Sequence, residues 1–251
     1  MLVSVLASSS SGNCTLIKTP NSTILIDLGV STKYLTEKLA QFNIKPEEID
    51  LILVTHGHTD HIAGLKVFTK KYNSTIYMSK ETSINIDLNC PITICPKIIE
   101  YNDLIIKTIP LSHDVPTVGF VIKNDVKELV YVTDTGYLNK NLFETISNKD
   151  AYLFESNYDI EMIQNSIRNP NNVRRVLSDK GHLSNEDSAY YLVNNLIGDR
   201  TKNIVLCHLS LDHNTPQLAL NTILKQIEKS NKKVDNIVIA KHKDHIKLIE
   251  I

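Results

Sequence analysis

One short segment constrains the fold of this chain more than any other. Residues 51–62, Leu-Ile-Leu-Val-Thr-His-Gly-His-Thr-Asp-His-Ile, form an apolar run that leads directly into three histidines and an aspartate. His56 and His58 flank a glycine, and alternate side chains of extended backbone point the same way, so both imidazoles can face one metal ion. Asp60 and His61 follow where apolar residues begin to recur at helical spacing, which predicts a strand-to-helix corner. The pattern favours a metal site over a polar loop that happens to be rich in histidine.

Length and charge limit the class of protein. The chain has 251 residues, of which 42% are hydrophobic and 22% charged, and its formal net charge is −1. This length suits one large domain or two small ones, and without a linker, repeat or low-complexity segment we predict a single domain over residues 1–251. A near-neutral chain does not hold nucleic acid by bulk charge, so any phosphate binding must be local.

The sequence predicts a cytoplasmic protein without a membrane partner. The segment Met1–Ala7 has no basic residue and precedes four serines, which is typical of a strand and not of a signal peptide. No apolar run approaches the roughly 18 residues that span a bilayer. The four cysteines have no metal-type spacing, and we expect them to be reduced thiols.

Acids and histidines recur where later apolar segments end. Asp27 and Asp134 each follow an apolar run, Glu155 ends another, and His113 and His208 follow two more. Site residues of α/β folds collect at the carboxyl ends of strands. Taken singly, each residue also fits an ordinary role, such as a β-turn aspartate or a loop histidine.

His182 lies in Gly-His-Leu-Ser-Asn, directly before a predicted helix. Ser184 and Asp187 have capping-box spacing, and an apolar face follows them. The loop before a helix N-terminus suits an anion. The alternatives are that His182 is a capping residue and that Glu155 is a surface charge.

The His-x-His-x-Asp-His run, with the residues above, resembles the metallo-β-lactamase-fold hydrolases, in a branch that includes ribonuclease Z and the YycJ (WalJ) type exonucleases. The runs Ser-Ser-Ser-Ser-Gly-Asn-Cys-Thr at 8–15 and Gly-His-Leu-Ser-Asn at 181–185 are most similar to the YycJ type. The resemblance spans nearly the whole chain. It implies an α/β fold, the αββα four-layer sandwich, with two mixed β-sheets flanked by helices.

The resemblance also implies two divalent transition-metal ions. Imidazole and carboxylate ligands suit Zn or Mn, which we favour, and also Fe or Ni. Asp27 would support the ligands from behind by hydrogen bonding. The resemblance implies that His56, His58 and His113 bind one ion and that Asp60, His61 and His208 bind the other. Asp134 is shared by both ions.

The chemistry implied is hydrolysis of a phosphodiester by a hydroxide that bridges the two ions. His182 would protonate the leaving oxygen or clamp the phosphate, Glu155 would orient His182 and favour its protonated form, and Asp60 is also placed among the catalytic residues. Basic residues before His182 are ordinarily a solvated helix face, but here they can form a local strip for phosphates. We expect the substrate phosphates to contact Ser10, Asn13, Arg168, Arg174, Arg175 and Ser184.

The favoured function is a 5′ to 3′ DNA exonuclease, with polarity and DNA preference resting on the resemblance alone. The nearest alternative is a phosphodiesterase for cyclic or nucleotide phosphodiesters. A non-catalytic regulatory metal-binding protein is a further alternative. A thioesterase or lactonase is disfavoured because it would leave Glu155 and His182 without a task. The sequence gives no prediction of the oligomeric state.

Overall fold

The computed structural model describes residues 1–88, 90–242 and 244–251. These residues form two compact units, one of residues 1–108 with 241–250 and the other of residues 109–240 with Ile251. Each unit has its own hydrophobic core. The single domain over residues 1–251 stays a prediction.

The strands follow the apolar segments of the sequence. In β11 and β12, given below, every residue is buried, and most are branched or aromatic. The strands are β1 Leu2–Ala7, β2 Cys14–Lys18, β3 Thr23–Ile26, β4 Leu51–Leu53, β5 Thr75–Met78, β6 Ile92–Ile94, β7 Ile98–Tyr101, β8 Leu104–Leu111, β9 Thr117–Lys123, β10 Glu128–Val132, β11 Ala151–Glu155, β12 Asn203–Cys207, β13 Asn236–Ile239 and β14 Ile249–Glu250.

Within the described residues the strands form two seven-stranded mixed sheets. The first has the order β14-β1-β2-β3-β4-β5-β6, and the second the order β13-β12-β11-β10-β9-β8-β7. In the first, β1, β2 and β3 are antiparallel neighbours, whereas β3 to β6 run parallel. In the second, β9 and β10 form the hairpin, and β10 to β13 run parallel. Parallel neighbours bring their carboxyl ends to the same edge of each sheet.

The helices are short, and α1, α4, α6, α7, α8 and α9 of those given below begin at a small polar residue whose side chain caps the helix. Ser184 Oγ accepts a hydrogen bond from Asp187 N, as the capping-box spacing predicts. Thr215 caps the last helix, with Pro216 at its first position. The helices are α1 Thr32–Ala40, α2 Thr59–Ile62, α3 Leu65–Phe68, α4 Lys80–Ile84, α5 Phe143–Ile146, α6 Ile160–Gln164, α7 Pro170–Val176, α8 Asn185–Tyr190 and α9 Pro216–Glu228. A π-helical segment, Tyr191–Leu196, continues α8.

Each core lies between a sheet and its helices. In the first unit Leu35 and Leu39 of α1 pack with Leu25 and Ile52 of the sheet. In the second, the apolar faces of α8 and α9 pack against β10, β11 and β12. Two mixed sheets flanked by helices confirm the predicted α/β class. No helix among the described residues has the length and apolar surface that a bilayer crossing requires.

Candidate active site

The histidine motif occupies the loop from β4 to α2 in the first unit. His56 and His58 lie in the loop, whereas Asp60 and His61 are in the first turn of α2, so the predicted strand-to-helix corner is confirmed. His56 Nε2 is 2.9 Å from His58 Nδ1. The ring centroids of His56 and His61 are 4.1 Å apart. The corner therefore gathers three imidazoles and a carboxylate in one place.

Asp27 lies behind this motif, directly after β3. Its Oδ2 is 2.7 Å from His61 Nδ1, and its Oδ1 accepts a hydrogen bond of 2.8 Å from Thr55 N. Burial raises the pKa of Asp27, although its contacts with His61 and Thr55 oppose the rise. With Nδ1 turned to Asp27, the Nε2 atom of His61 faces away and is the atom that can bind a metal.

Sequence reasoning missed Thr55. Its hydroxyl lies 2.9 Å from Asp27 Oδ2, 3.0 Å from His56 Nδ1 and 3.2 Å from His61 Nδ1. One hydroxyl thus links the supporting aspartate with two ring nitrogens. Its place directly before the first histidine was the available signal.

The serine-rich loop after β1 holds the motif from the other side. Asn13 N donates to Asp60 O over 2.8 Å, and Asn13 Nδ2 is 3.2 Å from Asp60 Oδ2 and 3.0 Å from His61 Nε2. Gly29, in the segment after β3, lies against the backbone of Asp60. A Cβ on Gly29 would lie 1.6 Å from Asp60 O, so only glycine fits at this position. Ser10 is exposed on the same loop.

A cavity of about 310 Å³ lies beside this loop, in the first unit. Its lining includes Ser11, Gly12, Ser31, Tyr34 and His242, but neither Ser10 nor Asn13. Phosphate contacts by those two residues stay predictions.

In the second unit three site residues lie at the carboxyl ends of parallel neighbours. Glu155 is the last residue of β11, His208 directly follows β12, and Asp134 follows β10 after one threonine. Asp134 and His208 have φ angles of 59° and 57°, in the left-handed region that few residues other than glycine adopt. Asp27, after β3, has a φ of 59°. Such strained backbone collects at functional sites, where it turns a side chain sharply out of a strand.

Glu155 is the centre of this group. Its Oε1 is 2.8 Å from His182 Nδ1 and 3.0 Å from His208 Nδ1, and its Oε2 accepts from Thr135 N and Leu183 N at 3.1 and 3.2 Å. Burial raises the pKa of Glu155, but the adjacent His182 and the hydrogen bonds from both imidazoles outweigh it and hold the pKa below its usual value. The ionised carboxylate can only accept, so both histidines donate from Nδ1.

His182 lies in the loop before α8. Gly181 permits the loop to turn, since a Cβ there would lie 2.1 Å from Val176 O, and His182 N donates to that same oxygen. The ring centroid of His182 is 5.2 Å from that of His113 and 5.3 Å from that of His208.

His113 faces this loop as well. Its Nδ1 is 3.1 Å from Gly181 O, and burial lowers its pKa, which keeps the imidazole neutral. A neutral imidazole is the form that binds a metal.

The donors of the second unit also converge. Asp134 Oδ1 is 3.3 Å from His208 Nδ1, and ligand atoms of Asp134, Glu155, His182 and His208 lie within 4.8 Å of one another. Carboxylate oxygens and imidazole nitrogens in one buried group fit a divalent transition-metal ion.

The predicted basic strip is only partly free of partners. Arg168 forms an ion pair with Asp212, and Arg175 NH1 lies 2.9 Å from Asp114 Oδ2. Arg174, on α7, is exposed and has no ion-pair partner among the residues that the structure describes.

Ser184, the remaining predicted phosphate contact, is buried. Its hydroxyl accepts from Asp187 N and donates to Asp187 Oδ2. A phosphate contact by Ser184 stays a prediction.

Comparison with known proteins shows the family. The family model for the metallo-β-lactamase superfamily matches residues 9–86. Over 239 residues the chain is 36% identical to exodeoxyribonuclease WalJ of Streptococcus pneumoniae, covering 91% of this chain and 88% of the relative. The chain belongs to the WalJ/YycJ family. Exodeoxyribonuclease YycJ of Bacillus anthracis is 35% identical over 236 residues, covering 90% of this chain and 88% of the relative.

A solved structure shows the same fold. The metallo-β-lactamase fold protein YhfI of Bacillus subtilis matches with a TM-score of 0.72 over 98% of this chain and 99% of its own, at 14% identity. The predicted metallo-β-lactamase fold is therefore confirmed. Membership of the WalJ/YycJ family makes the chain a metal-dependent hydrolase, and the histidine and aspartate clusters provide donors for divalent metal ions.

Proposed function

We propose that this chain is a 5′ to 3′ exonuclease that digests DNA with the help of two divalent metal ions. The WalJ and YycJ relatives, named exodeoxyribonucleases, match nearly the whole chain. The observation that carries the proposal is the buried pair of His182 and Glu155, because it supplies a proton donor beside the metal ligands.

The metal ligands of the proposal are those of the sequence prediction. They are imidazoles and carboxylates, a donor set that favours Zn or Mn and also suits Fe or Ni. Two such ions, when bound, supply an activated water and neutralise charge on the phosphate. The proposed ligands are His56, His58, Asp60, His61, His113, Asp134 and His208.

His182 and Glu155 act on the leaving group. A phosphodiester expels an alkoxide, which needs a proton, whereas a thioester or lactone expels a group that needs little help. Glu155 accepts the Nδ1 proton of His182 at 2.8 Å, so the proton that His182 can deliver is the one on Nε2. This pair therefore supports a phosphodiester substrate.

Local contacts replace bulk charge in binding the DNA. Arg174 leads these contacts because it has no ion-pair partner among the described residues, whereas Arg168 and Arg175 must exchange an aspartate for a phosphate. Ser10, Asn13 and Ser184 complete the proposed set. A DNA substrate also agrees with the predicted cytoplasmic location.

The test is digestion of end-labelled duplex DNA, with and without a 5′ phosphate, in Mn²⁺. The wild type should shorten the strand stepwise from the 5′ end. Asp134→Ala should abolish digestion, and His182→Ala should slow it by about 100- to 1,000-fold.

The matched control is His213→Ala. His213 lies in the same unit, but its Nε2 is 2.7 Å from Ser166 Oγ and it is not part of the Glu155 group. It should keep wild-type activity. If the protein cleaved an aryl phosphodiester but digested neither DNA nor RNA, the result would favour a small-molecule phosphodiesterase over an exonuclease. Digestion of RNA alone would overturn the DNA substrate.

A further inference from the structure

The loops around Glu155 are joined by a buried network of amide groups to which the proposed mechanism assigns no role. We propose that Asn214, through this network, is a positioning residue that holds His182 and His208 at hydrogen-bonding distance from Glu155. The proposal rests on the proposed function for its effect on turnover, but its geometry can be tested separately.

Asn214 and Asn185 form a reciprocal amide pair. Asn185 is the first residue of α8, and Asn214 precedes Thr215, the N-cap of α9. Asn185 Nδ2 donates to Asn214 Oδ1 over 3.0 Å, and Asn214 Nδ2 donates to Asn185 Oδ1 over 2.9 Å. Both side chains are buried, with exposed fractions of 1% and 6%. The pair ties the loop after β12 to the start of α8.

The same amides reach the segment after β11. Asn214 Nδ2 is 2.9 Å from Ser156 O and 3.1 Å from Asn157 O, and Ser156 Oγ donates to Asn185 Oδ1 over 2.6 Å. Asn214 Oδ1 also accepts from Thr215 N over 2.8 Å. Asn214 is therefore the point at which three separate segments of the chain meet.

Asn157 extends the network to a site residue. Its Nδ2 donates to His208 O over 2.7 Å and is 3.4 Å from His208 Nδ1. Its backbone N donates to Leu183 O over 2.9 Å. Asn157 thus holds the backbone on both sides of Glu155, next to His182 and at His208.

Each of the three segments carries one residue of the group formed by Glu155, His182 and His208. Glu155 directly precedes Ser156, His182 lies in the loop that leads to Asn185, and His208 lies in the loop that leads to Asn214. Hydrogen bonds have a preferred direction, so this network restricts the relative placement of the three loops more narrowly than apolar contacts of the same area do. The two bonds to Glu155, at 2.8 and 3.0 Å, need that placement because they share one carboxylate oxygen.

The test compares Asn214→Asp with Asn203→Asp. In Asn214→Asp a carboxylate replaces the donor that faces Asn185 Oδ1, Ser156 O and Asn157 O, so it repels all three acceptors. Asn203 is a buried asparagine at the amino end of β12, bonded to Asn236 Nδ2 at 3.2 Å. The control therefore introduces the same carboxylate at another buried asparagine of the same unit, on a strand whose other end reaches the site.

Two quantities are measured on the full chain loaded with Zn²⁺ or Mn²⁺. The first is the set of downfield proton resonances from the Nδ1–H groups of His182 and His208, recorded with Zn²⁺. The second is kcat and KM for DNA with Mn²⁺. We expect Asn214→Asp to lose these resonances and to lower kcat by about 10- to 100-fold, with KM near the wild-type value. Asn203→Asp should keep the resonances and kcat even if its thermal midpoint falls.

If Asn214→Asp does not fold, the same measurements are made on Ser156→Ala. It removes only the 2.6 Å bond to Asn185 and should broaden the same resonances with a smaller loss of kcat. Unchanged resonances in the folded variant would overturn the positioning role, and so would an equal loss of kcat in Asn203→Asp. A wild type that digests no DNA would refute the proposed function, while the resonances would still decide the role of Asn214.

Discussion

The two ends of strands β10 and β11 carry carboxylates in opposite settings, all buried except the half-buried Glu128. At the amino ends, Glu128 begins β10 and Asp150 directly precedes β11. At the carboxyl ends are Asp134 and Glu155. The partners at the amino ends are lysines and arginine, whereas the partners at the carboxyl ends are histidines.

The amino-end group is a closed ion-pair network. Lys149 Nζ is 2.7 Å from Glu128 Oε2, and Arg200 reaches Asp150 at 2.5 Å and Glu128 at 3.3 Å. Lys127 adds a contact of 3.2 Å to Asp150. Burial raises the pKa of both acids, but their hydrogen bonds and the nearby cations outweigh it and lower both pKa values below the usual range. Glu128 accepts from Lys149, and Asp150 accepts from the backbone amide of Glu128 and from Lys127 and Arg200.

The difference separates stability from chemistry along the same strands. Lysine and arginine stay charged across the neutral range, so the amino-end acids have fixed partners and contribute to folding. An imidazole can lose a proton and offer a lone pair, so the carboxyl-end acids have partners that can change state. Asp134, at a carboxyl end, has the left-handed backbone that collects at functional sites, which agrees with a chemical role for this end.

The largest expected effect is that of metal removal, which should loosen the local structure at the carboxyl ends and leave that of the amino ends intact. Without metal, hydrogen exchange should quicken at Thr135 and Leu183, whose amides bond to Glu155, and stay slow at Glu128, whose amide bonds to Asp150. Activity should vanish, and the free energy of unfolding should fall by about 4 kcal/mol if the free metal stood near 1,000 times its Kd. Mass-spectrometric hydrogen exchange with a chelator measures this.

Adding metal back should restore the slow exchange. If hydrogen exchange at Glu128 quickened equally, the metal would support both ends of the strands and the contrast between them would fail.

The second effect is the loss of activity in Glu155→Gln. Glutamine keeps the shape of the side chain but loses the negative charge on the oxygen that accepts Nδ1–H from His182 and His208. We therefore expect kcat for DNA to fall by about 100-fold or more. The matched variant Glu128→Gln should keep kcat and lose stability. Kinetics and thermal unfolding of both variants test the comparison, which fails if Glu128→Gln lowers kcat as much.

The third effect is the pH dependence of stability at the amino ends. Because the pKa values of Glu128 and Asp150 are lowered by folding, their contribution is complete above the unfolded pKa values, near 4, and is lost as pH falls through the folded ones. Asp150→Asn should cost about 2 kcal/mol at pH 7, and this cost should shrink as pH falls from about 5 to about 3.

Urea unfolding across this pH range measures the cost. Asp125→Asn, at an exposed position between β9 and β10, is the control and should cost nothing at any pH. A cost for Asp150→Asn that does not vary with pH would contradict the ionic origin of the stability.

The smallest effect is that of Arg200→Lys. Arginine spans Asp150 and Glu128 with its two terminal nitrogens, and a lysine can reach only one of them, so stability should fall by less than about 1 kcal/mol. Chemical unfolding measures the change. Lys202→Ala, which removes an exposed pair with Asp235 at 3.5 Å, should cost still less. The reverse order would show that bridging by Arg200 adds nothing.

Residue patterns predicted the positions of the acids and histidines because strand ends are local features. The apolar run before His56 set the corner of β4 and α2, and the run before Glu155 set the end of β11. The layered fold came from the family resemblance, since alternating strands and helices indicate only a mixed α/β protein.

Contacts between distant segments could not be predicted. Asn185 and Asn214 occur in loops whose sequences show no reason to pair, and their pairing depends on how α8 and α9 begin. The partners of Arg168, in the loop before α7, and of Arg175, on α7, were equally hidden, because an exposed arginine side chain can turn to any nearby acid. Left-handed backbone at His208 also leaves no mark in a single sequence.

The shared oxygen of Glu155 has a consequence for how such a protein can change over generations. Because one carboxylate atom accepts from both His182 and His208, a substitution at either histidine alters the setting of the other. The effects of changes at these three positions are then strongly non-additive, and a lineage that drifts toward another reaction must alter them together. Each amino-end acid has more than one cationic partner, so a change at one of those cations leaves the acid with another.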